Sequence, residues 1–129
     1  MKLRTICKSK IHHAVVTAAD LNYIGSIGID QALMERTDIV NGEQVSVWNV
    51  NNGERIVTYA IALPRDSGEI VVNGAAARHF HAGDRIIIAA FAVTDEPVEP
   101  KMIAVDEHNR VARILSHTSM TEELTAPRR

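Results

Sequence analysis

Short β-rich runs separated by turn signals are the feature that most limits the fold of this 129-residue chain. Residues 45–50 (VSVWNV) and 55–62 (RIVTYAIA) flank Asn51-Asn52-Gly53, and a short Asn-Gly turn between two such runs predicts a hairpin. Residues 85–93 (RIIIAAFAV) are nearly all apolar, which predicts a strand buried on both faces. Further strands are predicted over residues 2–13, 14–18, 69–73, 101–106 and 110–115.

Helical signals are few. Asp30 precedes six good helix formers, residues 31–36, and is predicted to cap a short helix. One further helical turn is expected over residues 74–78. The polar residues 118–129 are expected to form a flexible tail. The whole pattern predicts a mainly β chain, a small β-barrel with one or two short helices, in a single domain over residues 1–117.

Composition excludes several function classes. The 14 basic and 16 acidic side chains give a net charge of −2, so the basic footprint of nucleic-acid binders is absent. Aromatic residues make up 4% of the chain, too few for a base-stacking platform. Cys7 is the single cysteine, which suits a reducing compartment, and no apolar run approaches the ~20 residues of a membrane span. We therefore expect a cytoplasmic protein with neither a nucleic-acid nor a membrane partner and without a signal peptide.

Histidine side chains can bind zinc, and a cysteine thiol can act as a nucleophile. His12 and His13 are adjacent, and His79 and His81 are two residues apart, but structural zinc sites need four ligands at spacings that this chain lacks. No metal site is predicted. Cys7 has no evident base or helix start beside it, which favours an inert thiol.

Two other groups of residues each allow a functional and an ordinary explanation. The amides of Gly74-Ala75-Ala76-Ala77 could bind an anion, or small residues there could simply permit close packing. On the strand over residues 55–62, alternation places Arg55 and Tyr59 on one face and Thr58 on the other. Arginine suits a carboxylate and tyrosine can transfer a proton, yet without further context an edge arginine and an interfacial tyrosine are the favoured explanation.

The Gly25-Ser26 bond gives these residues a context, because several ordered blocks around it occur together. These blocks are Arg4-Thr5, Lys8-Ser9-Lys10-Ile11-His12, Val16-Thr17, Ala19-Asp20-Leu21, Tyr23-Ile24-Gly25-Ser26, Ile29-Asp30, Asn52-Gly53, Arg55, Thr58-Tyr59, Asn73-Gly74-Ala75-Ala76-Ala77 and Gly83-Asp84. The chain closely resembles the bacterial pyruvoyl-dependent aspartate decarboxylases, which make β-alanine for pantothenate and coenzyme A. The resemblance runs from Arg4 to Val93, with a weaker match to Leu115.

The resemblance implies a double-psi β-barrel and a homotetramer with active sites between subunits. It further implies that the chain cleaves itself between Gly25 and Ser26 and converts Ser26 into a covalent pyruvoyl group. That ketone would form a Schiff base with L-aspartate and accept the electrons left when CO2 departs. Tyr59 would then donate a proton to the substrate.

The same resemblance assigns the remaining site residues. Substrate binding is implied for Arg55, Lys10, Thr58, Gly74, Ala75 and Ala76, and supporting positions for Asn73, His12 and Tyr23. Thr58 is also implied in the self-cleavage.

Three segments depart from the family pattern, one of them the tail after Leu115, and two alternative functions remain open. Gly28 replaces a larger residue just after the cleavage bond, which suggests a loosened segment and a possible need for a maturation helper protein. Residues 63–66 (LPRD) replace a glycine-rich turn. The alternatives are a pyruvoyl decarboxylase for another acidic amino acid, and an unprocessed, non-catalytic barrel that acts as a binding module.

Overall fold

The structure, a computed structural model, describes residues 1–127 and is mainly β with short helices, as predicted. The helices are α1 (Gln31–Thr37), α2 (His117–Thr125) and a 3-10 helix (Gly74–Arg78). The strands are β1 (Arg4–Val15), β2 (Ala18–Asp20), β3 (Ser26–Asp30), β4 (Gln44–Asn49), β5 (Arg55–Leu63), β6 (Ile70–Asn73), β7 (Arg85–Thr94), β8 (Lys101–Val105) and β9 (Val111–Leu115).

The strands of this part of the chain form one sheet that curves around a single core. Its order is β2-β6-β3-β5-β4-β7-β1-β8-β9. Ile70 and Val72 of β6 pack in the same buried cluster as Ile103 and Val105 of β8, although five strands lie between β6 and β8 in that order. Strands so far apart can share a core only if the sheet bends round it. This curvature agrees with the predicted barrel, while its double-psi crossover stays a prediction.

The predicted hairpin is confirmed. Strands β4 and β5 are antiparallel, with Trp48 paired to Arg55 at the turn. Gly53 has a φ of 79°, which glycine adopts without steric cost, and its N–H donates to the Asn49 carbonyl at 2.8 Å. The second predicted pair, β8 and β9, is also antiparallel. These elements were predictable because each depends on a local turn.

The predicted cap of α1 is confirmed, and it has a second role. Asp30 is 1% exposed, and its carboxylate accepts hydrogen bonds from the N–H groups of Ala32, Asp66 and Gly68, each at 2.9 Å. The first of these caps the helix. The other two attach the 66–68 turn to the start of α1, so one buried carboxylate holds both elements.

Strand β7 is only partly as predicted. Ile86, Ile88, Ala89 and Ala90 are buried, but the prediction of burial on both faces is wrong for the second half, where Phe91 is 41% exposed. A continuous apolar sequence does not by itself determine which face of a strand is buried, because a face becomes buried only when another element covers it.

The C-terminal residues differ from the predicted flexible tail, because α2 forms there; residues 128 and 129 of that tail lie outside the described residues. Ser116 and Ser119 make a reciprocal capping box, with N···O distances of 2.9 and 3.0 Å. Met120 packs against Met102, Ala104 and Leu115. A cap with serine at the fourth position lacks the usual Glu or Gln, which is why the sequence signal was missed.

Gly28 does not loosen the chain after the cleavage bond, contrary to the sequence-based expectation. All five residues of β3 are buried. A Cβ on Gly28 would lie 2.9 Å from Cδ1 of Leu63, so the Leu63 side chain fills the space that a larger residue would occupy. The departures at Gly28 and Leu63 therefore compensate for one another, while the need for a helper protein stays a prediction.

Asn109 provides a test of the fold. It is 1% exposed with φ 59°; its Oδ1 accepts from Val15 N at 2.7 Å, and its Nδ2 donates to the carbonyls of Val15 and Gly68 at 2.9 and 2.8 Å. Asn109→Ala leaves these backbone groups unpaired and should lower the free energy of unfolding by about 3 kcal/mol. Urea unfolding at one fixed protein concentration measures it. Asn52→Ala, in an exposed turn, is the control, and equal losses in the two variants would contradict the assignment.

Candidate active site

The Gly25-Ser26 bond lies at the entry to the buried strand β3. Ser26 is 6% exposed and pairs with Asn73 of β6. On the other side β3 runs parallel to β5, with Ile27 paired to Ala60, and this register puts Ser26 level with Tyr59, one residue before that pair. Pairing on both sides therefore places Ser26 between Asn73 and Tyr59, two residues that are remote from it in sequence.

Gly74 packs directly against Gly25. A Cβ on Gly74 would lie 2.7 Å from the Gly25 Cα and 3.0 Å from the Gly25 nitrogen, and its φ is 69°. Only glycine accommodates both the backbone angle and this approach. Of the two explanations left open for this segment, close packing is what the structure shows at Gly74.

A cavity of about 430 Å³ opens beside this contact. Five predicted site residues line it, namely Gly25, Thr58, Asn73, Ala75 and Ala76. Its other lining residues are Ile56, Val57 and His79. From the sequence, His79 was not predicted as a site residue of any kind. Its Nδ1 lies 3.7 Å from Glu54 Oε1.

Arg55 and Tyr59 share the outer face of the sheet, the side away from the core, while Thr58 points to the opposite side, as alternation predicted. Tyr59 is 38% exposed. The Arg55 guanidinium lies over the Trp48 ring, 4.7 Å from its centroid, which is a cation–π contact. Trp48 was not recognised as a site residue, although the hairpin register pairs it with Arg55 and could have revealed it.

Lys10 and His12 do not line the Gly25 cavity. They line a second cavity of about 330 Å³, and its other lining residues are Arg113, Leu115, Met120, Glu123 and Leu124. Lys10 pairs with Ala89, Ala89 with Ser46 and Ser46 with Val57, so three strand spacings, about 14 Å, separate Lys10 from β5. Within one chain, the predicted site residues thus form two separate groups.

His12 has the most perturbed environment among the predicted site residues. Burial, followed by repulsion from His13, Lys10 and Arg113, lowers its pKa to about 4, although Glu123 acts in the other direction. Its ring stacks on His13 with centroids 4.0 Å apart. Its Nδ1 is buried and finds no hydrogen-bond partner within residues 1–127. His12 is therefore neutral at pH 7, with one buried ring nitrogen that is not hydrogen-bonded within the described residues.

The remaining candidates lie apart from both cavities. Tyr23, in the turn before the cleavage bond, is 68% exposed. Cys7 is half-buried, and its thiol makes one weak contact with the Ser9 carbonyl at 3.5 Å. Within residues 1–127, no three His, Cys, Asp or Glu side chains converge as a metal site would require. None of the helices in this part of the chain has the length and apolar character needed to cross a membrane.

Comparison with known proteins shows the family of this chain. The sequence profile of the family described as "Aspartate decarboxylase" matches residues 1–112. Aspartate 1-decarboxylase of Leptothrix cholodnii is 53% identical over 117 residues, which covers 88% of this chain and 89% of that protein. The protein of the same name from Acaryochloris marina is 53% identical over 112 residues, covering 84% and 86%. Aspartate 1-decarboxylase 2 of a Polaromonas strain is 50% identical over 125 residues, covering 94% and 98%.

These matches and the mainly β fold define the class of protein as a decarboxylase, which is a lyase. The chain belongs to the aspartate decarboxylase family. The resemblance inferred from the sequence blocks is thereby confirmed.

The lowered pKa of His12 predicts a pH effect on stability. Unfolded histidine protonates near pH 6.5 and folded His12 near pH 4, so between these values the unfolded state binds more protons. The His12 contribution therefore makes the fold less stable as the pH falls from about 6.5 to 4. Denaturation at pH 7 and pH 4.5 should show a smaller acid loss for His12→Gln than for the unmodified chain. Equal losses would contradict the burial of this ring.

Proposed function

We propose that this chain decarboxylates L-aspartate at its α-carboxyl group to β-alanine and CO2, using a pyruvoyl group made from Ser26. The observation that carries the proposal is the single cavity formed by Gly25, Thr58, Asn73, Ala75 and Ala76 beside Ser26. The family match supports the same activity, because the similar proteins carry the name aspartate 1-decarboxylase.

The residues around Gly25 fit the formation of a pyruvoyl group. Ser26 Oγ attacks the Gly25 carbonyl, the peptide C–N bond breaks, and an ester links the two segments. Elimination across Ser26 releases the Gly25 carboxylate and leaves a dehydroalanine, and water then replaces its nitrogen, which departs as ammonia. A Cβ on Gly25 would meet no atom within 4 Å, so the contact with Gly74 leaves one side of Gly25 open.

Thr58 is suited to assist this cleavage. It lines the same cavity as Gly25 from the neighbouring strand β5. A hydroxyl donor directed at the Gly25 carbonyl would stabilise the negative charge that develops on the oxygen during the attack. Asn73, paired directly with Ser26, is placed to orient the reacting groups.

Substrate binding combines charge with a small pocket. When formed, the pyruvoyl ketone supplies an electron sink for the substrate α-carbon as CO2 leaves. Arg55 can bind a carboxylate through two parallel hydrogen bonds, and Lys10 supplies a second positive charge. The backbone of residues 74–76 limits the size of the substrate, and Tyr59, beside Ser26, donates the proton that replaces CO2.

The separation of Lys10 and His12 from the Gly25 cavity supports an active site shared between subunits. The outer face of β5 and β7 exposes apolar side chains that a second copy would bury, namely Val57, Tyr59, Ile61, Phe91 and Val93. A patch of this kind beside functional residues is typical of a subunit interface. We propose a homotetramer in which a neighbouring subunit brings its Lys10 and His12 to this cavity, and Tyr23 reaches across the contact.

The wider assignment follows from the same proposal. We propose that residues 1–117 form the catalytic domain and that the enzyme acts in the cytoplasm, where its product enters pantothenate and coenzyme A synthesis.

Self-cleavage is the first test. Denaturing mass spectrometry of the purified protein should show fragments of residues 1–25 and 26–129, the larger one with a blocked, ketone-bearing N-terminus. Ser26→Ala should remain full length, because it lacks the attacking oxygen, and should keep its fold because it retains the Cβ. Ser46→Ala, a serine on β4, is the control and should cleave normally. Full-length unmodified protein after prolonged warm incubation would refute the proposal.

Tyr59→Phe tests the proton donor. The variant keeps the ring but loses the only atom that the role requires, so cleavage should proceed while kcat for β-alanine formation falls by about 10²–10⁴-fold. Mass spectrometry of each preparation corrects the rate for the extent of cleavage. Normal turnover in fully cleaved Tyr59→Phe would exclude Tyr59 as the donor.

A comparison of kcat/KM for aspartate and for glutamate, on the cleaved unmodified enzyme, separates the proposal from a decarboxylase of another acidic amino acid. A preference for glutamate would favour that alternative.

A further inference from the structure

Helix α2 covers the second cavity, the one lined by Lys10 and His12. Three of its side chains, Met120, Glu123 and Leu124, line this cavity together with Arg113 of β9. Met120 attaches the helix to the sheet through the apolar cluster with Met102, Ala104 and Leu115. The capping box at Ser116 fixes where the helix begins. Glu123 is consequently held over the cavity by packing and capping as well as by its own charge.

Arg113 lies in the same lateral row as His12. Arg113 pairs with Ala104 across β8 and β9, and Ala104 pairs with His12 across β8 and β1. Cross-strand partners project from the same face of a sheet, and the small Ala104 between them leaves room above it. The Arg113 guanidinium therefore belongs to the face on which Lys10 and His12 lie, although its strand is two positions away.

Without Glu123, the residues that line this cavity would carry only positive charge. Lys10 and Arg113 are cations, His12 is neutral, and Glu123 is the one acid among the lining residues. The Nη1 of Arg113 donates a hydrogen bond to a Glu123 carboxylate oxygen, and this bond lowers the pKa of Glu123. Both side chains remain about half exposed, at 53% and 54%, so the pair can open to solvent. The cavity thus presents two cations, one of them occupied by a carboxylate of the same chain.

We propose that Arg113 is a second carboxylate-binding residue of the Lys10 cavity and that Glu123 occupies it as an internal competitor of the substrate. This inference rests on the proposed function, in which Lys10 binds a carboxylate of aspartate. A free dicarboxylate gains the Arg113 fork only when Glu123 leaves it. Helix α2 thereby sets the affinity of the site, and it favours substrates that bring a carboxylate able to replace Glu123.

The test compares Glu123→Gln with Glu122→Gln in cleaved enzyme. Both changes remove one negative charge from α2, but Glu122 does not line the cavity. Glu123→Gln should lower the KM for aspartate by about two- to fivefold, the range expected for a half-exposed ion pair, with little change in kcat. Glu122→Gln should keep the KM of the unmodified enzyme, and Arg113→Gln should raise it.

A double variant isolates the proposed contact. In an Arg113→Gln background, Glu123→Gln should no longer lower the KM, because the competitor has lost its partner. A fall in KM that persists there, or one that Glu122→Gln reproduces, would overturn the inference.

Binding of succinate, a dicarboxylate without an amine, is measured by calorimetry on the same proteins and does not depend on decarboxylation. Tighter succinate binding by Glu123→Gln in a protein that makes no β-alanine would support the inference and refute the proposed function. Unchanged succinate affinity together with normal β-alanine formation would refute the inference and support the proposed function.

Discussion

The pairing of strand β3 is the constraint on which the rest of the site depends. Its five residues are all buried, and it is hydrogen-bonded to β5 on one side and β6 on the other. A strand held in this way cannot slip by one residue without turning its apolar side chains out of the core. The bond that precedes it, Gly25-Ser26, therefore has one position relative to Thr58, Tyr59 and Asn73.

A close backbone contact completes this constraint. Gly74 lies so near Gly25 that no side chain fits between them, and its positive φ turns the chain into the 3-10 helix that forms the cavity wall. Such contacts lie between residues that are far apart in the chain, and they exist only when β3 and β6 are paired. At Gly28 the same strand meets Leu63, where a glycine and a large side chain together keep the packing filled.

The two groups of site residues on one chain are held in place by different parts of the structure. The group around Gly25 depends on the sheet itself, whereas Lys10 and His12 lie under α2, which is joined to the sheet by Met120 and a capping box. A short helix with few buried contacts opens more easily than a central strand. The proposed reaction chemistry thus lies on the rigid part of the molecule, while Lys10, the proposed substrate-binding cation, lies beneath its more easily displaced part.

The local elements were determined by the sequence alone: the Asn52-Gly53 hairpin, the Asp30 cap, and the alternation that separates Thr58 from Tyr59 all depend on neighbouring residues. The blocks around Gly25-Ser26 likewise sufficed to indicate the family. The exposed half of β7, the helix at the C-terminus and the placement of Lys10 away from Gly25 were decided only by the tertiary structure. The physical reason is that burial, helix docking and cavity lining depend on which distant strands pair, and the spacing of residues along a chain does not specify that pairing.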